Sequence, residues 1–408
     1  MNKRIVITGV GLTSPIGNDL KTMRQNLLDG KSGIAEHEIR YMGKRPAGFC
    51  EFDEFKHQKK KSRRRGTRVG SISIYCANEA LIDAKLDIEA IDKSRMGVFL
   101  GLTEHGNVET EEEVYQMQQN EMDYNLWSIH HNPRTVANSA AGEVTLNLGI
   151  TGPHYTIGSA CAGGNMGLIP GVQQILLGEV DYALCGGAIE SPATFGIVAA
   201  FNAQGALGTH EDVTKSSRPL CKTRNGITIS EGGCVYMVET LESAENRNAK
   251  IYGEVVGYAY NSDASDFVLP NTQRQIECMQ KALVRASLNA EDIDIVNLHA
   301  TGTVMGDINE VSAAKAVFEA SDKTYINFTK GHIGHSMGAA GALELAGNLP
   351  SFEDGMIHAG INVEQIDPEC DVKNLVLNQP IETNTVDIIL NNSFGMLGIN
   401  STVIIKKV

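Results

Sequence analysis

The segment YTIGSACAGGNMG, residues 155–167, places Cys161 among small residues directly after a strand-like run. A structural cysteine in a core usually has Val, Leu and Ile as neighbours, so these small flanks indicate that another molecule approaches the thiol closely. A helix starting at Cys161 would direct its N-terminal dipole at the sulfur. This predicts a lowered thiol pKa and a nucleophilic thiolate.

Two distant segments carry histidines in similar surroundings. NLHATGT (297–303) contains His299, and KGHIGHSMGAAG (330–341) contains Lys330 and His335. Both follow strand-like runs, and ligand sites of α/β proteins form in the loops at strand ends. We therefore expect these residues to lie together in such loops. A small buried thiol beside two core histidines is the alternative that the residues alone leave open.

Two other chemistries are disfavoured. TGVGLTSPIG, residues 8–17, follows a strand, but Ser14 stands where a dinucleotide-binding fingerprint needs its third glycine. His332 and His335, with Glu344 beyond them, have zinc-ligand types and could share a helical face. The glycines of that stretch make it a poor helix, so we predict a structural turn in the first segment and no metal site in the second.

Composition limits the class of protein. The 408 residues require one large α/β unit or two domains, and a formal net charge of −14 argues against nucleic-acid or anionic-membrane binding. The eight cysteines are scattered without a CxxC pair, which is typical of a reduced cytoplasmic protein. No signal peptide and no apolar run of about 18 residues are evident, so no membrane span is expected.

Short apolar, β-branched runs alternate with helical stretches, which predicts an α/β fold with buried sheets. The predicted strands are Arg4–Thr8, Met96–Gly101, Tyr155–Gly158, Tyr182–Cys185, Ile251–Val256, Ile293–Leu298, Tyr325–Phe328, Val386–Leu390 and Thr402–Ile405. The predicted helices are Asp19–Leu28, Val69–Ala84, Gln273–Ala286 and Asn309–Ala320. A polar stretch near residues 245–255 is the best candidate for a domain boundary.

Several segments in fixed order resemble the elongating β-ketoacyl-acyl-carrier-protein synthases. They are KRIVITGVGLTSPIGN, GSACAGG, SSRPLCKTRNGITISEGG, NLHATGTVMGD, KGHIGHSMGAAGALE and NNSFGMLGIN. The resemblance implies a thiolase-like fold, in which two αβα halves form a five-layered αβαβα architecture. It places the nucleophilic cysteine in an N-terminal half, residues 1–250, and the histidine pair in a C-terminal half, residues 251–408.

The resemblance also implies a decarboxylative Claisen condensation of malonyl carrier protein with an acyl group carried on Cys161. His299 and His335 would donate hydrogen bonds where negative charge develops, and Lys330 would hold positive charge beside them. The remaining implied roles are an oxyanion hole from the backbone N–H groups of Cys161 and Phe394, support by Glu344 and Asp307, and pantetheine binding by Thr301 and Thr303. No bound cofactor or metal is implied, because the phosphopantetheine arm arrives with the acyl carrier protein.

The sequence departs from the family pattern around the acyl pocket. The segment SFGMLGIN gives a gate of Phe394, Met396 and Leu397, where relatives have Phe and Gly at the last two positions. Asp266, Val268 and Cys221 also stand where other residue types are usual. These departures favour a specialised polyketide, polyene or unusual acyl substrate, with a housekeeping fatty-acid elongation synthase II as the alternative.

A basic run between Lys56 and Arg68 contains no acidic residue. In an acidic protein such a run predicts docking of an acidic carrier protein, through Lys60, Arg64, Arg65 and Arg68. A solvated loop without a partner is the other interpretation.

The resemblance implies a homodimer or a heterodimer with a homologue of the chain-length-factor kind. A non-catalytic chain-length partner is disfavoured for this chain itself, because Cys161, His299, His335 and Lys330 are all present. Dependence on such a partner stays open. A degradative thiolase is disfavoured because Cys370 does not lie in a glycine-rich loop.

Overall fold

Alternating strands and helices organise the chain, and the computed structural model describes residues 3–408. The strands are β1 Ile5–Thr13, β2 Ala35–Ile39, β3 Gly43–Ala47, β4 Met96–Leu102, β5 His154–Gly158, β6 Tyr182–Ile189, β7 Gly232–Thr240, β8 Gly253–Ser262, β9 Ile295–Asn297, β10 Tyr325–Asn327, β11 Met356–Ile357, β12 Ile381–Glu382, β13 Ile388–Gly395 and β14 Ile399–Lys406. The helices are α1 Leu20–Leu28, α2 Lys60–Arg63, α3 Arg68–Asp83, α4 Asn107–Gln119, α5 His131–Thr135, α6 Ser139–Leu148, α7 Gly163–Leu177, α8 Phe195–Ala203, α9 Leu241–Asn246, α10 Thr272–Ala286, α11 Val304–Phe318, α12 Lys330–Ile333, α13 Ala340–Asn348 and α14 Ser351–Asp354. Within residues 3–408, none of these helices combines the length and apolarity that crossing a bilayer requires.

The main sheet consists of two halves with the same topology. In the first half the strand order is β5-β4-β6-β7-β1, and in the second half it is β10-β9-β13-β14-β8. In each half the first three strands are parallel and the last two join antiparallel. A short antiparallel pairing of β1 with β8 connects the halves. The predicted thiolase-like duplication is therefore confirmed.

Two helices form the central layer of the fold. α7 and α13 pack against strands of both halves, while α3 and α6 cover the outer side of the first half and α10 and α11 cover the second. Every residue of α13 is buried. A Cβ on Gly164 would lie 2.2 Å from Ala342 N, so glycine permits the close approach of the two central helices.

Each of the nine predicted strands overlaps an observed strand, and each of the four predicted helices overlaps an observed helix. The pattern missed α13, because a helix buried on all sides shows no amphipathic period, whereas the helix considered at Cys161 corresponds to α7, which begins at Gly163. A boundary near residue 250 remains our proposal. It is supported by the end of β7 at Thr240 and the start of β8 at Gly253.

Candidate active site

Cys161 lies in a tight turn between β5 and α7. Residues Ala160–Ala162 form a single 3₁₀ turn, and α7 begins at Gly163. Ala160 has a φ of 45°, in the left-handed region that residues with a Cβ rarely occupy. Ser393 Oγ donates a hydrogen bond to Cys161 O at 2.8 Å, so β13 fixes this turn from the other half of the molecule. The thiol is 5 % exposed.

The structure brings both predicted histidines to this thiol. His335 Nε2 lies 3.2 Å from Cys161 Sγ, and the rings of His299 and His335 stand nearly perpendicular with centroids 5.2 Å apart. A ligand atom from each of the three side chains lies within 4.8 Å of the others. These are also zinc-ligand types, but the ammonium of Lys330 beside His299 disfavours a bound cation there.

Lys330 fixes the tautomer of His299. Lys330 and Glu344 are fully buried and form an ion pair, and Lys330 Nζ also donates to His299 O. The same Nζ lies 3.2 Å from His299 Nδ1. An ammonium group has no lone pair, so Nδ1 must accept this hydrogen bond and the proton of a neutral ring sits on Nε2. Burial raises the pKa of the Glu344 carboxyl to about 7, and Lys330 acts in the opposite direction.

No equivalent hydrogen bond within residues 3–408 fixes the tautomer of His335. Its Nδ1 is buried and has no hydrogen-bond partner among residues 3–408. Burial, followed by the charge of Lys330, holds the pKa values of both His299 and His335 well below the usual value, so both rings are neutral. His335 can therefore carry its proton on either nitrogen, and Nε2 can either accept a proton from the thiol or donate one.

The expectation of a low-pKa thiolate is wrong for this structure. Burial raises the pKa of the Cys161 thiol to about 12, and Glu104 adds to this effect while Lys330 opposes it. Desolvation disfavours the charged form of an isolated thiol, and α7 begins two residues too late to cap the sulfur directly. The resting pair is thus a thiol facing a neutral imidazole, and His335 Nε2 is the nearest base.

A backbone N–H of the gate segment also acts on the sulfur. The backbone N–H of Met396 acts as a hydrogen-bond donor that lowers the pKa of the Cys161 thiol, which makes it a candidate for the oxyanion hole beside the predicted N–H of Phe394. Gly395 makes this approach possible, because a Cβ there would lie 3.0 Å from Cys161 N. Phe394 places its ring against His299, with centroids 6.2 Å apart. Sequence reasoning missed Met396 because a side-chain motif does not show which amide turns inward.

A cavity of about 380 Å³ leads from the surface to the catalytic group. Cys161 and the two histidines line its inner end, and the exposed side chains of Val268 and Met305 lie at its mouth. The predicted pantetheine residues Thr301 and Thr303 line the wall between, with their hydroxyl oxygens 2.9 Å apart.

Two buried carboxylates hold the loop that carries His299 and the threonines. Asp307 accepts hydrogen bonds from Gly302 N at 3.0 Å and Leu220 N at 2.8 Å, and it pairs with Arg224 at 3.2 Å. Glu310 accepts hydrogen bonds from the backbone N–H groups of His299 and Ala300, at 2.6 and 2.7 Å. Asp307 thus acts on the loop rather than on the reacting atoms. Arg224 and Glu310 were missed, although both lie within or beside the quoted motifs.

The gate segment is strained at one exposed position. Leu397 has a φ of 63° and is 70 % exposed, so a branched side chain occupies a conformation that favours glycine. Its N–H donates a hydrogen bond to Phe267 O at 2.9 Å, which ties the gate to the mouth of the cavity. Met396 lines the cavity itself. The gating role of these residues remains a prediction.

The other unusual residues have local structural partners. Asp266 Oδ1 accepts hydrogen bonds from Val268 N and Leu269 N and closes a turn at the mouth. Cys221 is buried with its sulfur 3.4 Å from Thr223 Oγ1. Burial acts to raise the pKa of this thiol, but hydrogen bonds, first that of Thr223, outweigh it and lower the pKa.

His332 lies apart from the catalytic group. Its ring nitrogens lie 3.0 Å from Lys31 O and 2.8 Å from Ala359 O. These backbone contacts occupy both nitrogens, so His332 and His335 do not form a paired zinc site.

The basic run divides into paired and free cations. Arg68 pairs with the fully buried Glu231 at 2.5 Å and with Glu54 at 2.8 Å, so its guanidinium serves the fold. Lys60, Arg64 and Arg65 are exposed, and within residues 3–408 they form no salt bridge. Their availability supports the docking prediction, whereas the paired Arg68 does not.

Comparison with known proteins agrees with this geometry. A model of the beta-ketoacyl synthase N-terminal domain matches residues 2–244, and a model of the beta-ketoacyl synthase C-terminal domain matches residues 252–364. The chain is 34 % identical over 417 residues to 3-oxoacyl-[acyl-carrier-protein] synthase 2 of Staphylococcus aureus (strain COL), covering 100 % of this chain and 99 % of the relative. It is 31 % identical to the chloroplastic 3-oxoacyl-[acyl-carrier-protein] synthase II of Arabidopsis thaliana, covering 98 % of this chain and 75 % of that one.

Solved structures show the same similarity. The ishigamide ketosynthase/chain length factor superposes with a TM-score of 0.92 at 28 % identity, and a complex of a type II PKS acyl-carrier protein with its ketosynthase superposes with 0.90 at 27 %. Both matches cover 100 % of each chain. Together with the two family matches, they show that this chain belongs to the β-ketoacyl synthases, the condensing acyltransferases of fatty-acid and polyketide chain elongation.

Proposed function

We propose that this chain lengthens an acyl group held on Cys161 by decarboxylative condensation with malonyl carrier protein. One observation carries the assignment of roles: Cys161 Sγ faces His335 Nε2 at 3.2 Å, at the inner end of a cavity that reaches the surface. A thiol next to a neutral base at the inner end of a cavity suits a thioester presented on a long flexible arm.

The first half-reaction loads the acyl group. A carrier protein presents an acyl thioester on its phosphopantetheine arm, which Thr301 and Thr303 hydrogen-bond in the cavity wall. His335 Nε2 accepts the thiol proton as Cys161 Sγ attacks the carbonyl carbon. The oxygen of the tetrahedral intermediate receives hydrogen bonds from the N–H groups of Cys161 and Met396. The C–S bond to pantetheine breaks, and that sulfur leaves with the proton.

The second half-reaction forms the carbon–carbon bond. His299 and His335 donate their Nε2–H groups to the thioester oxygen of malonyl carrier protein, so that negative charge can develop there as CO₂ leaves. The resulting enolate carbon attacks the acyl carbonyl on Cys161, and the sulfur leaves as a thiolate. One proton from solvent, passed through His335 Nε2, restores the thiol. The product is a β-ketoacyl group longer by two carbons. Lys330 keeps His299 in the tautomer that this step requires.

Carrier docking rests on the exposed cations. We propose that Lys60, Arg64 and Arg65 bind an acidic carrier protein, whose phosphopantetheine arm then enters the cavity. Reversal of Arg64 and Arg65 to Glu should weaken carrier binding and reduce its salt dependence, since exposed charges are screened over about 8 Å at physiological salt. Turnover of small pantetheine thioesters should stay near normal. Equal salt dependence of the two proteins would exclude this surface.

The pathway and assembly belong to the proposal. The departures at Met396, Leu397 and Cys221 favour a specialised polyketide or polyene substrate, while similarity to 3-oxoacyl synthases 2 supports fatty-acid elongation as the alternative. The chain would act as a homodimer, or as a heterodimer with a sister subunit as in the ishigamide ketosynthase/chain length factor. Free thiols at all eight cysteines accord with a cytoplasmic location.

The test measures condensation by the purified chain when it is given one carrier protein loaded with an acyl group and another loaded with a malonyl group. The proposal predicts one CO₂ released for each β-ketoacyl product, and no product from Cys161→Ala. If the wild-type chain, alone and with its sister subunit, loads no acyl group and forms no product, the proposed function is wrong.

A further inference from the structure

One polar side chain in the cavity wall has no assigned role. Gln275 lies in the first turn of α10, is 1 % exposed, and lines the same cavity as Cys161 and Thr301. Its neighbours along the cavity include apolar side chains such as those of Leu269 and Met305.

The side-chain carbonyl oxygen of Gln275 is unpaired in the described part of the chain. Its Oε1 is buried and has no hydrogen-bond partner within residues 3–408. The backbone N–H of Gln275 bonds Asn271 O in the ordinary pattern of a helix start, so only the side chain lacks a partner. A buried acceptor without a donor costs free energy, and an apolar side chain would avoid this cost. The group therefore has a use when the cavity is filled.

The pantetheine arm brings the missing donor. Pantetheine carries two amide groups, each with an N–H and a carbonyl, and both lose water on entering a narrow cavity. In the resting structure Thr301 and Thr303 bond to each other, so one hydroxyl donor is already used. The two hydroxyls alone cannot pair every amide group of the arm with its best partner. Gln275 supplies a further acceptor through Oε1 and donors through Nε2.

We propose that Gln275 binds the carrier arm through its side-chain amide, which forms a hydrogen bond with an amide group of pantetheine. This inference rests on the proposed function. It assigns to α10 a part in holding substrate, in addition to packing against the second half of the sheet.

Three variants separate this role from a structural one. Gln275→Met keeps the length of the side chain and removes its amide, and Gln275→Glu keeps an acceptor oxygen. Gln280→Met changes an exposed residue of the same helix and serves as the control. Loss of one neutral hydrogen bond should raise KM for malonyl-pantetheine about three- to tenfold in Gln275→Met. The kcat should stay unchanged, because the arm is held alike in the ground and transition states.

Gln275→Glu should recover part of the lost affinity, and Gln280→Met should match the wild type. Gln275→Met should keep or raise Tm, since an unpaired buried polar group has been removed. A lowered Tm with unchanged KM would make Gln275 structural and overturn the inference.

Malonyl-N-acetylcysteamine, which contains only the amide nearest the sulfur, identifies the amide bound. A raised KM with both substrates supports contact with that amide, and a raised KM with malonyl-pantetheine alone supports contact with the distal one. If the KM of Gln275→Met is unchanged for both substrates, the inference is overturned. The proposed function stands in that case as long as the wild type condenses these substrates. Absence of condensation by the wild type would instead count against the proposed function.

Discussion

Two loops of this molecule follow the same course in the two halves of the fold and perform different tasks. In the first half, a 3₁₀ turn at Ala160–Ala162 follows the strand β5 and leads into the central helix α7. In the second half, a 3₁₀ turn at Met337–Ala339, in the segment that follows β10, leads into the central helix α13. Both turns begin with a residue of positive φ, 45° at Ala160 and 36° at Met337. Cys161 and Gly338 are thus equivalent in position.

Packing explains why only one loop carries a nucleophile. A Cβ on Gly338 would lie 2.7 Å from Thr103 N and 2.9 Å from the backbone of Leu102, so the second turn is pressed against the end of β4. The side chain of Cys161 instead faces the cavity. Three residues before Gly338 the second loop carries His335, at the position of Gly158 in the first. One scaffold therefore supplies the sulfur from one half and its proton acceptor from the other.

The largest expected effect follows removal of the Cys161 side chain, since the equivalent residue of the second turn is Gly338. Cys161→Ala should lower the condensation rate by about 10⁴-fold or more, because no acyl group can be held. Malonyl decarboxylation should persist, since His299 and His335 remain in place. Release of CO₂ and formation of product are measured in the same reaction. Condensation by this variant at a rate near that of the wild type would contradict the assignment of the nucleophile.

The two histidines should respond differently because only one contacts the thiol. His299→Ala and His335→Ala should each lower malonyl decarboxylation by about 10²- to 10³-fold, the usual cost of one preorganised donor. His335→Ala should also slow alkylation of Cys161 by iodoacetamide, whereas His299→Ala should leave it near the wild-type rate. His332→Ala is the control for the loop. Equal alkylation rates in the two histidine variants would refute the distinction.

The loop after β4 offers a smaller, pH-dependent effect. Glu104 accepts a hydrogen bond from Ser191, and burial raises the pKa of its carboxyl to about 7. Above that pH its negative charge adds to the raised pKa of Cys161. Glu104→Gln removes the charge, so Cys161 should deprotonate more readily and react about threefold faster with iodoacetamide near pH 9.

The effect of Glu104→Gln should fade below pH 6, where the wild-type carboxyl is already neutral. A constant ratio of alkylation rates from pH 6 to pH 9 would remove Glu104 from the electrostatics of the thiol.

The smallest effect concerns the gate, where Leu397 also has a positive φ. Leu397 is exposed, so replacing it loses little packing, and Leu397→Gly should raise the free energy of unfolding by about 1 kcal/mol through relief of backbone strain. Denaturant unfolding measures this change, and Leu146→Gly, at an exposed helical position, should be destabilising. Destabilisation by Leu397→Gly would show that the leucine side chain contributes packing.

Much of this site was readable from the sequence because its chemistry is carried by residue types in short motifs. Cys161, His299, His335 and Lys330 were predicted together, and the structure places them in contact. The motif could not show that the N–H of Met396 acts on the sulfur, because backbone direction depends on the packing of Gly395 against Cys161.

The effects of burial were the second feature that the sequence could not predict. The raised pKa of Cys161 follows from desolvation by both halves of the fold, which no local pattern reports. Arg68 looked free in the sequence because Glu231, its buried partner, is distant along the chain. The central helix α13 was missed for the related reason that complete burial removes the amphipathic period.

The most direct test of the account is to find where the acyl group resides during turnover. The purified chain is incubated with an acylated carrier protein in the absence of malonyl substrate and is then digested. Peptide mass spectrometry shows which of the eight cysteines carries the acyl group. The account predicts a single acyl adduct on Cys161 that disappears when malonyl carrier protein is added, with β-ketoacyl product appearing in its place. An adduct on another cysteine, or one on Cys161 that malonyl carrier protein does not discharge, would contradict it.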